Sequence, residues 1–209
     1  SGILKESYLQ HYPLHVIHNG INTEVFRPSA DNVFRIKYRL ENKFILLGVA
    51  TSWGSKKGLY DFIELGKLLK TDFQIVLVGL TKKQIEQLPD NILGIKRTES
   101  VKELAEIYSE SDVFVNPTYE DSFPTTNLES LACGTPVITY KTGGSPEAID
   151  ELTGIVVEQG DIGKLIDAID KVKDNGKQYY SEACVNRAHR LYKKEDRYQE
   201  YIDLYDSLL

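Results

Sequence analysis

Apolar residues occur along the chain in short, nearly continuous runs, and the segments between them carry apolar residues at helical spacing. Unbroken apolar runs are typical of strands that are covered on both faces of a sheet. Six such runs and one weaker run therefore predict strands. The six are HVIHNG (15–20), KFILLGVA (43–50), FQIVLVGL (73–80), SDVFVNP (111–117), PVITY (136–140) and GIVVE (154–158), and the weaker one is ILGIK (92–96).

The intervening segments predict helices that are apolar on one face. They lie at 58–69, near 82–87, from 100 onward, at 125–133 and at 161–172, and a stripe of tyrosine and aliphatic residues predicts a last helix in the tail. Ser100 and Glu103 have the spacing of a capping box. Asp161 stands where an N-cap is expected.

Strands that alternate with helices indicate a parallel sheet. The predicted fold is therefore α/β, a Rossmann-like, doubly wound sheet. Ligands of such sheets bind beyond the carboxyl ends of the strands. This places the loops of interest after Ala50, Leu80, Asn116 and Tyr140.

The loop after Asn116 leads into a helix and carries acids. Pro124 is suited to the first helical position, where a missing N–H costs nothing. The amides of Phe123, Thr125 and Thr126 would then be free to bind an anion such as phosphate. Acids beside such a site accept hydrogen bonds from hydroxyls, which a nucleotide sugar has in number.

Two further loops contribute candidates. TSWGSKKG (51–58) places Lys56 and Lys57 before a helix, where ammonium groups would neutralise a diphosphate. In TGGSPE (142–147), Gly143 and Gly144 allow a close backbone approach, and Glu147 follows at a helix start.

Each candidate also has a purely structural interpretation. Acids often flank helix starts, lysines are common in surface loops, and a glycine pair can be only a turn. Glu129 can equally be an exposed helix residue, and Trp53 can stack on a ligand or anchor its loop. Cys133 lies in an apolar run and is interpreted as a buried thiol.

Composition narrows the class of protein. The 209 residues carry a net charge of −6 with scattered Lys and Arg, which does not support a nucleic-acid partner. Two cysteines, one in an apolar run, favour a reducing, cytosolic setting. No apolar run reaches the length of a membrane span. No His/Cys cluster or Asp-x-Asp motif appears, so the sequence does not require a metal.

Taken together, these motifs resemble a known family. Lys-Lys-Gly before a helix, Asp121 followed by Glu129 at the acid-x7-Glu spacing, LACGTPVI and TGGSPE resemble the C-terminal half of retaining GT-B glycosyltransferases, family four, "group 1". HNGIN and EVFRP resemble the start of the same domain. The resemblance extends from about Val16 to Val172. It implies that this half binds a nucleotide-sugar donor and that another half binds the acceptor.

The resemblance also implies roles by position. Asp121 would contact hydroxyls of the donor sugar, Glu129 would hold the ribose hydroxyls, and Lys57 would bind the diphosphate; these three are the expected catalytic residues. Lys56 is the alternative for the diphosphate, and Glu120 the alternative for the sugar.

Further substrate contacts follow from the same resemblance. The amides of Ser122 and Phe123 would approach the sugar, and those of Thr125 and Thr126 the phosphate. Backbone groups near Arg97 and Thr98 would face the base, and Gly143 and Gly144 would lie close to the ligand. No metal and no cofactor are expected beyond the donor substrate.

The sequence departs from the family pattern at several positions. Asp121 replaces a Glu, Pro124 replaces a Gly, and Asn22 replaces an Asp. Thr51 or Ser52 stands where an Arg commonly precedes the Lys. The family's other half carries a His near the donor sugar, and none of the four histidines here lies in a matching motif: His11, His15, His18 and His189.

The resemblance implies a hexosyltransferase domain that acts in surface polysaccharide or glycolipid synthesis. Residues 1–12 are expected to be a linker from a missing N-terminal domain, 13–175 the nucleotide-sugar domain, and 176–209 helices that partly face the missing domain. Alone, the chain is expected to be inactive because the acceptor domain is absent. The expected location is cytoplasmic, and a peripheral membrane contact through the missing domain stays open.

Two other classes remain open from the residues alone. A sugar-nucleotide epimerase uses a pocket of the same shape, and a non-enzymatic α/β module would share the sheet. A receiver-like module would need an acidic pocket after the first strand, where this chain has Thr51, Ser52 and Trp53. The residues do not choose the nucleotide, the sugar or the acceptor.

Overall fold

The protein is built around one parallel sheet. The computed structural model describes residues 11–208. Within them the six strands lie in the order β3-β2-β1-β4-β5-β6, and every neighbouring pair is parallel. The strands are β1 (Phe44–Val49), β2 (Phe73–Val78), β3 (Ile92–Ile95), β4 (Val113–Asn116), β5 (Val137–Tyr140) and β6 (Gly154–Val157). The predicted Rossmann-like fold is confirmed.

Among the described residues, one helix precedes β1, four helices lie between strands, and three follow β6. They are α1 (Val33–Tyr38), α2 (Leu59–Leu68), α3 (Lys82–Ile85), α4 (Val101–Glu110), α5 (Thr125–Ala132), α6 (Ile162–Asn175), α7 (Lys177–Tyr192) and α8 (Lys194–Leu208). Two 3₁₀ turns, Ser55–Lys57 and Ser145–Ala148, lie in loops at the carboxyl edge of the sheet. The predicted helices all occur, at bounds that differ by a few residues.

One strand prediction was wrong. Residues 15–20 form no strand, and beside them Ile21 makes only an isolated bridge to Lys193. Val16 is 55% exposed, so the apolar run does not lie inside a sheet. The segment instead runs along the start of α8, where a side chain on Gly20 would collide with the backbone of Lys194.

Two helix starts differ in detail from their predictions. Pro124 is the N-cap of α5 and not its first helical residue, with an extended ψ of 118°. At α4, the Ser100 hydroxyl accepts the amide of Glu103 as predicted, but the Glu103 carboxylate accepts the amide of Glu99 instead of that of Ser100. The predicted N-cap at Asp161 is confirmed, with its carboxylate accepting the amide of Lys164 at 2.9 Å.

The core lies on both faces of the sheet. The central apolar residues of β1 and the apolar residues of β2 are almost completely buried, and so are Phe62 of α2 and Leu128 of α5. Burial of such side chains stabilises the fold by about 1.5–3 kcal/mol each. The dense packing fixes the ends of β1 and β4, where the loops of interest begin.

The last helix has a different character. None of the side chains of α8 is buried, and the predicted stripe at Tyr198, Tyr201, Ile202 and Tyr205 is exposed. Within the part of the chain that the structure describes, no helix is both long and apolar enough to cross a membrane.

Candidate functional site

A cleft of about 350 Å³ opens between the carboxyl ends of β1 and β4. The two strands are neighbours, but their connections run to opposite sides of the sheet, as the strand order shows. Ligands of doubly wound folds bind at this topological switch point. The cleft is lined by Val49, Ala50, Thr51, Ser52, Lys57, Asn116, Asp121, Phe123, Pro124, Thr125 and Thr126.

Two lysine–acid pairs lie beside each other at this edge, and they differ in exposure. Lys57 Nζ is 2.5 Å from Asp121 Oδ2, with side chains 36% and 17% exposed. Lys56 Nζ is 2.5 Å from Glu120 Oε2, with side chains 69% and 66% exposed. Lys57 and Asp121 line the cleft, whereas Lys56 and Glu120 do not. Of the alternatives that the sequence left open, Lys57 and Asp121 are the ones that line this cleft.

Backbone contacts hold the two loops of these pairs together. The Lys56 carbonyl accepts hydrogen bonds from the amide of Tyr119 at 2.8 Å and from the hydroxyl of Thr118 at 3.1 Å. Gly58 has a φ of 70°, and a Cβ there would overlap the carbonyl oxygen of Pro117. Only glycine combines this backbone conformation with so close an approach. The lysine loop is therefore fixed against the loop that carries the acids.

The start of α5 faces the cleft without a side-chain cap. Thr125 and Thr126 are its first two residues, and no side chain of the described residues caps them. The first amides of a helix have no partner within the helix. Because Thr125 and Thr126 also line the cleft, their donors and the positive end of the helix dipole are available to an anion.

A buried polar network holds this helix start, and the sequence analysis missed it. Asn116 Nδ2 donates to Asn127 Oδ1 at 2.8 Å, and Asn127 Nδ2 donates to Ser145 Oγ at 2.9 Å. Thr139 Oγ1 is 2.6 Å from the same Ser145 oxygen. The network joins β4, α5, β5 and the TGGSPE turn. The sequence offered one signal of this network, which is the side-chain amide of Asn127 on a helix face that is otherwise buried.

Gly143 and Gly144 pack against the loop after β4 that carries Glu120 and Asp121, here called the acid loop. Gly143 has a φ of 50°, and a Cβ there would overlap the carbonyl oxygen of Asp121. The amide of Gly144 donates to the carbonyl of Ser122 at 2.9 Å. Neither glycine lines the cleft. The observed close approach is between two loops of the chain, which fixes Asp121 and Ser122 in place.

Glu129 lies apart from the cleft, one turn further along α5. It is half-buried, and the Tyr108 hydroxyl donates to its Oε2 at 3.0 Å. Burial raises the pKa of Glu129 to about 7, and the hydrogen bond from Tyr108 opposes that rise. Within residues 11–208 no lysine or arginine forms an ion pair with Glu129. The interpretation as an exposed helix residue is wrong.

Arg97 and Thr98, which were predicted to contact the base, lie in the loop after β3. Arg97 is exposed and Thr98 is half-buried, two and three residues beyond the end of the strand. Neither residue lines the cleft. The structure therefore does not bring this loop into contact with Lys57 and Asp121.

His18 lies beside the cleft, which no motif indicated. Its ring centroid is 4.6 Å from that of Phe123, a cleft residue, and its Nε2 is 3.2 Å from Glu147 Oε2. Tyr192 packs on both rings, at 6.4 Å from His18 and 5.9 Å from Phe123. Glu147, in the 3₁₀ turn Ser145–Ala148, thus contacts the segment that was wrongly predicted as a strand.

Two candidates, the aromatic Trp53 and the thiol Cys133, belong to the core. Trp53 is 8% exposed, its indole N–H donates to the Val78 carbonyl at 2.8 Å, and its ring packs on Phe62. It anchors the loop. Cys133 is a buried free thiol, and burial raises its pKa to about 12, which is unsuited to a nucleophile. Among the described residues no group of three His, Cys, Asp or Glu is placed to hold a metal ion.

Curated proteins of similar sequence are glycosyltransferases. The chain is 26% identical to a D-inositol 3-phosphate glycosyltransferase of Mycobacterium sp. (strain JLS), over 83% of this chain and 42% of the relative. It is 27% identical to the UDP-Gal:alpha-D-GlcNAc-diphosphoundecaprenol alpha-1,3-galactosyltransferase of Escherichia coli, over 96% of this chain and 57% of the relative. The chain therefore spans about half the length of these relatives.

Solved structures share the fold. A sucrose-phosphate synthase from Thermosynechococcus elongatus superposes with a TM-score of 0.86 at 24% identity, over 99% of this chain and 55% of that one. HepE of Anabaena in complex with UDP-glucose gives 0.83 at 17% identity, over 98% and 60%. The C-terminal domain of the group 1 glycosyl transferase LpcC from Francisella tularensis gives 0.68 at 25% identity, over 83% and 99%.

The family profile described as "Glycosyl transferases group 1" matches residues 41–175, which include the sheet, the lysine loop and the acid loop. The fold is that of the C-terminal half of GT-B glycosyltransferases. The chain belongs to the family of group 1 glycosyl transferases.

Proposed function

We propose that this chain is the donor-binding domain of a retaining glycosyltransferase of family four. The enzyme moves a sugar from a nucleoside diphosphate to an acceptor hydroxyl in the synthesis of a surface polysaccharide or glycolipid. The observation that carries the proposal is the cleft between β1 and β4, in which Lys57, Asp121 and the uncapped start of α5 meet. Family membership favours a transferase over an epimerase or a binding module.

The diphosphate is the leaving group, and its negative charge grows as the sugar departs. The amides of Thr125 and Thr126 and the ammonium group of Lys57 line the same cleft and stabilise that charge. The network around Asn127 holds the amides in place before the ligand arrives. Preorganised donors of this kind need no rearrangement during the reaction.

Hydroxyl groups of the donor need acceptors. Asp121 serves the sugar, together with the amides of Ser122 and Phe123, and Glu129 serves the ribose. Tyr108 donates to one oxygen of Glu129, and no other side chain described here donates to Oε1. A carboxylate accepts about four hydrogen bonds, so the ribose hydroxyls have acceptor sites left. The backbone near Arg97 and Thr98 closes the site over the base.

Similar proteins support a UDP-sugar as the first donor to test. The E. coli relative is named for UDP-Gal and for a diphosphoundecaprenol-linked acceptor, and HepE was solved with UDP-glucose. The acceptor is bound by a domain additional to this one, as the greater length of the relatives allows. Residues 13–175 form the donor domain and 176–209 contact the additional domain, in a cytoplasmic enzyme that works at the inner face of the membrane.

Calorimetry with UDP, GDP and ADP tests the donor site directly. We expect one of them to bind the chain weakly, with the same affinity with and without a chelator. The absence of binding heat for all three at millimolar concentration would contradict the proposal. The anomeric configuration of the product of a longer, active enzyme, measured by NMR, tests retention.

A further inference from the structure

Asp61 is a buried acid that no step above uses. It lies in the first turn of α2, is 7% exposed, and forms no ion pair within residues 11–208. Its Oδ1 instead accepts hydrogen bonds from two phenols, Tyr119 at 2.9 Å and Tyr140 at 2.7 Å. A buried carboxylate is costly unless it is hydrogen-bonded, so the two phenols are what makes Asp61 tolerable here.

The two phenols have different surroundings. Tyr140 ends β5 and is completely buried, so its position is fixed by the core. Tyr119 lies in the acid loop and is 37% exposed. Burial and the hydrogen bond to Asp61 raise the pKa of both phenols, which keeps them protonated as donors. The core fixes the Tyr140 ring, whereas the Tyr119 ring is held by its hydrogen bond to Asp61 and by its edge-on contact with the Tyr140 ring.

Tyr119 is held at its backbone as well as at its side chain. Its amide donates to the Lys56 carbonyl at 2.8 Å. Its carbonyl accepts from Gln159 Nε2 at 3.0 Å, and that nitrogen is also 2.8 Å from Thr142 Oγ1. The residue therefore connects the loops that follow β1, β4, β5 and β6. Glu120 and Asp121 come directly after it.

We propose that Asp61 and Tyr119 are positioning residues of the donor cleft. Asp61 fixes the Tyr119 ring, and Tyr119 fixes the loop so that Asp121 meets Lys57 across the cleft before any ligand binds. The inference rests on the proposed function, because the cleft is taken as the donor site. A loop that is already ordered does not lose conformational entropy on binding, so the affinity is higher.

Tyr140→Phe supplies a matched control. It removes one hydrogen bond from the same carboxylate, as Tyr119→Phe does, but from a residue that is held by the core. Asp61→Ala removes the acceptor, and Asp61→Asn returns a neutral one. The loop itself is followed by hydrogen exchange and mass spectrometry on peptides that cover 118–124, and the site by calorimetry with UDP.

Tyr119→Phe and Asp61→Ala are expected to raise amide exchange in 118–124 about tenfold, the equivalent of one lost hydrogen bond. UDP affinity falls about three- to tenfold in the same two variants. Asp61→Asn lies between Asp61→Ala and the wild type in both measurements. Tyr140→Phe lowers the unfolding midpoint but leaves exchange in 118–124 and UDP affinity within about twofold.

The outcomes separate this proposal from the one it rests on. Equal exchange in 118–124 for Tyr119→Phe and Tyr140→Phe, or no change in either, would overturn the positioning role and leave Asp61 as a core residue. If the wild type binds no nucleoside diphosphate, the donor site is wrong, while the exchange comparison still decides whether Asp61 fixes the loop. If Asp61→Ala does not fold, Tyr119→Phe carries the test.

Discussion

The two acids at the ends of the acid-x7-Glu spacing occupy opposite environments. Asp121 precedes α5, lines the cleft, and has Lys57 at 2.5 Å. Glu129 lies on the second turn of α5, half-buried, with a neutral phenol as its hydrogen-bond donor. Charge at position 121 is compensated by Lys57, whereas charge at position 129 has no lysine or arginine partner among the described residues.

We expect the two acids to have different tasks. A carboxylate that is paired with a lysine holds that lysine at the cleft. A carboxylate without a cation carries a burial cost that hydroxyl donors of a ligand reduce. Both ends of the sequence motif are acids, but the surroundings of Asp121 and Glu129 differ. The following experiments test whether the two acids differ in this way.

The largest expected effect is on stability and concerns Glu129. Burial raises its folded-state pKa from 4.5 to about 7, so ionisation is less favourable in the folded protein than in the unfolded chain. Relative to Glu129→Gln, the wild type should therefore lose stability as the pH rises from about 4.5 to about 7, with no further change above. The full loss is about 3 kcal/mol or less, at about 1.4 kcal/mol per pKa unit.

Urea unfolding of both proteins at pH 5 and pH 8 measures this loss. Tyr108→Phe is the matched variant, because it removes the hydrogen bond that lowers the Glu129 pKa, and it should enlarge the difference between the two pH values. If the wild type and Glu129→Gln keep the same difference in unfolding free energy at both pH values, the burial cost assigned to Glu129 is absent.

The second effect is on the nucleotide. Glu129→Ala should weaken UDP binding by about 10- to 100-fold, because a hydrogen bond to a charged group contributes about 1.5–3 kcal/mol. The loss should appear for UDP and shrink for 2′-deoxy-UDP, which lacks one of the hydroxyl donors. Calorimetry with both ligands measures it. Equal affinity of the wild type for the two ligands would exclude the ribose 2′-hydroxyl as the partner of Glu129.

The sequence predicted the sheet well because its strands are buried on both faces. β1 and β2 are nearly continuous apolar runs, which are typical of strands covered on both faces of a parallel sheet. HVIHNG has only two adjacent apolar residues and contributes no strand, since so short a run does not reveal whether a partner strand exists. Its role as a surface segment along α8 depends on contacts with residues more than 170 positions away.

The candidate site was predicted in part for a related reason. Lys57, Asp121, Thr125 and Thr126 lie in motifs that are short in sequence, and the structure brings all four to one cleft. The contact of His18 with Glu147 joins residues 129 positions apart, and no local pattern encodes it. Whether Lys56 or Lys57 faces the cleft also depends on the 3₁₀ turn Ser55–Lys57, which contains both lysines.

The third experiment compares the Lys57–Asp121 pair with the more exposed Lys56–Glu120 pair. Lys57→Ala should lower UDP affinity about tenfold, since a charge-assisted contact in a partly enclosed cleft is lost and Asp121 is left without its cation. Lys56→Ala is the matched control, and it should change affinity by less than about threefold because exposed pairs contribute about 0–1 kcal/mol. Calorimetry of both variants decides, and a larger loss for Lys56→Ala would assign the diphosphate to that lysine instead.

The smallest expected effect concerns His18, and it tests whether the sugar end of the cleft is separate from the diphosphate end. His18 packs on Phe123, whose amide is assigned to the sugar, while Thr125 and Thr126 are assigned to the phosphate. His18→Ala should therefore lower the affinity for UDP-glucose about two- to threefold, the size expected for a partly exposed contact, and leave the affinity for UDP unchanged. His18→Phe, which keeps a ring against Phe123 but cannot bond Glu147, should retain most of the UDP-glucose affinity if ring packing is what positions Phe123. Competition between the two ligands in one calorimetric titration gives the ratio directly. An equal loss for UDP and UDP-glucose would mean that His18 supports the whole helix start, and the division of the cleft into a sugar end and a phosphate end would then be wrong.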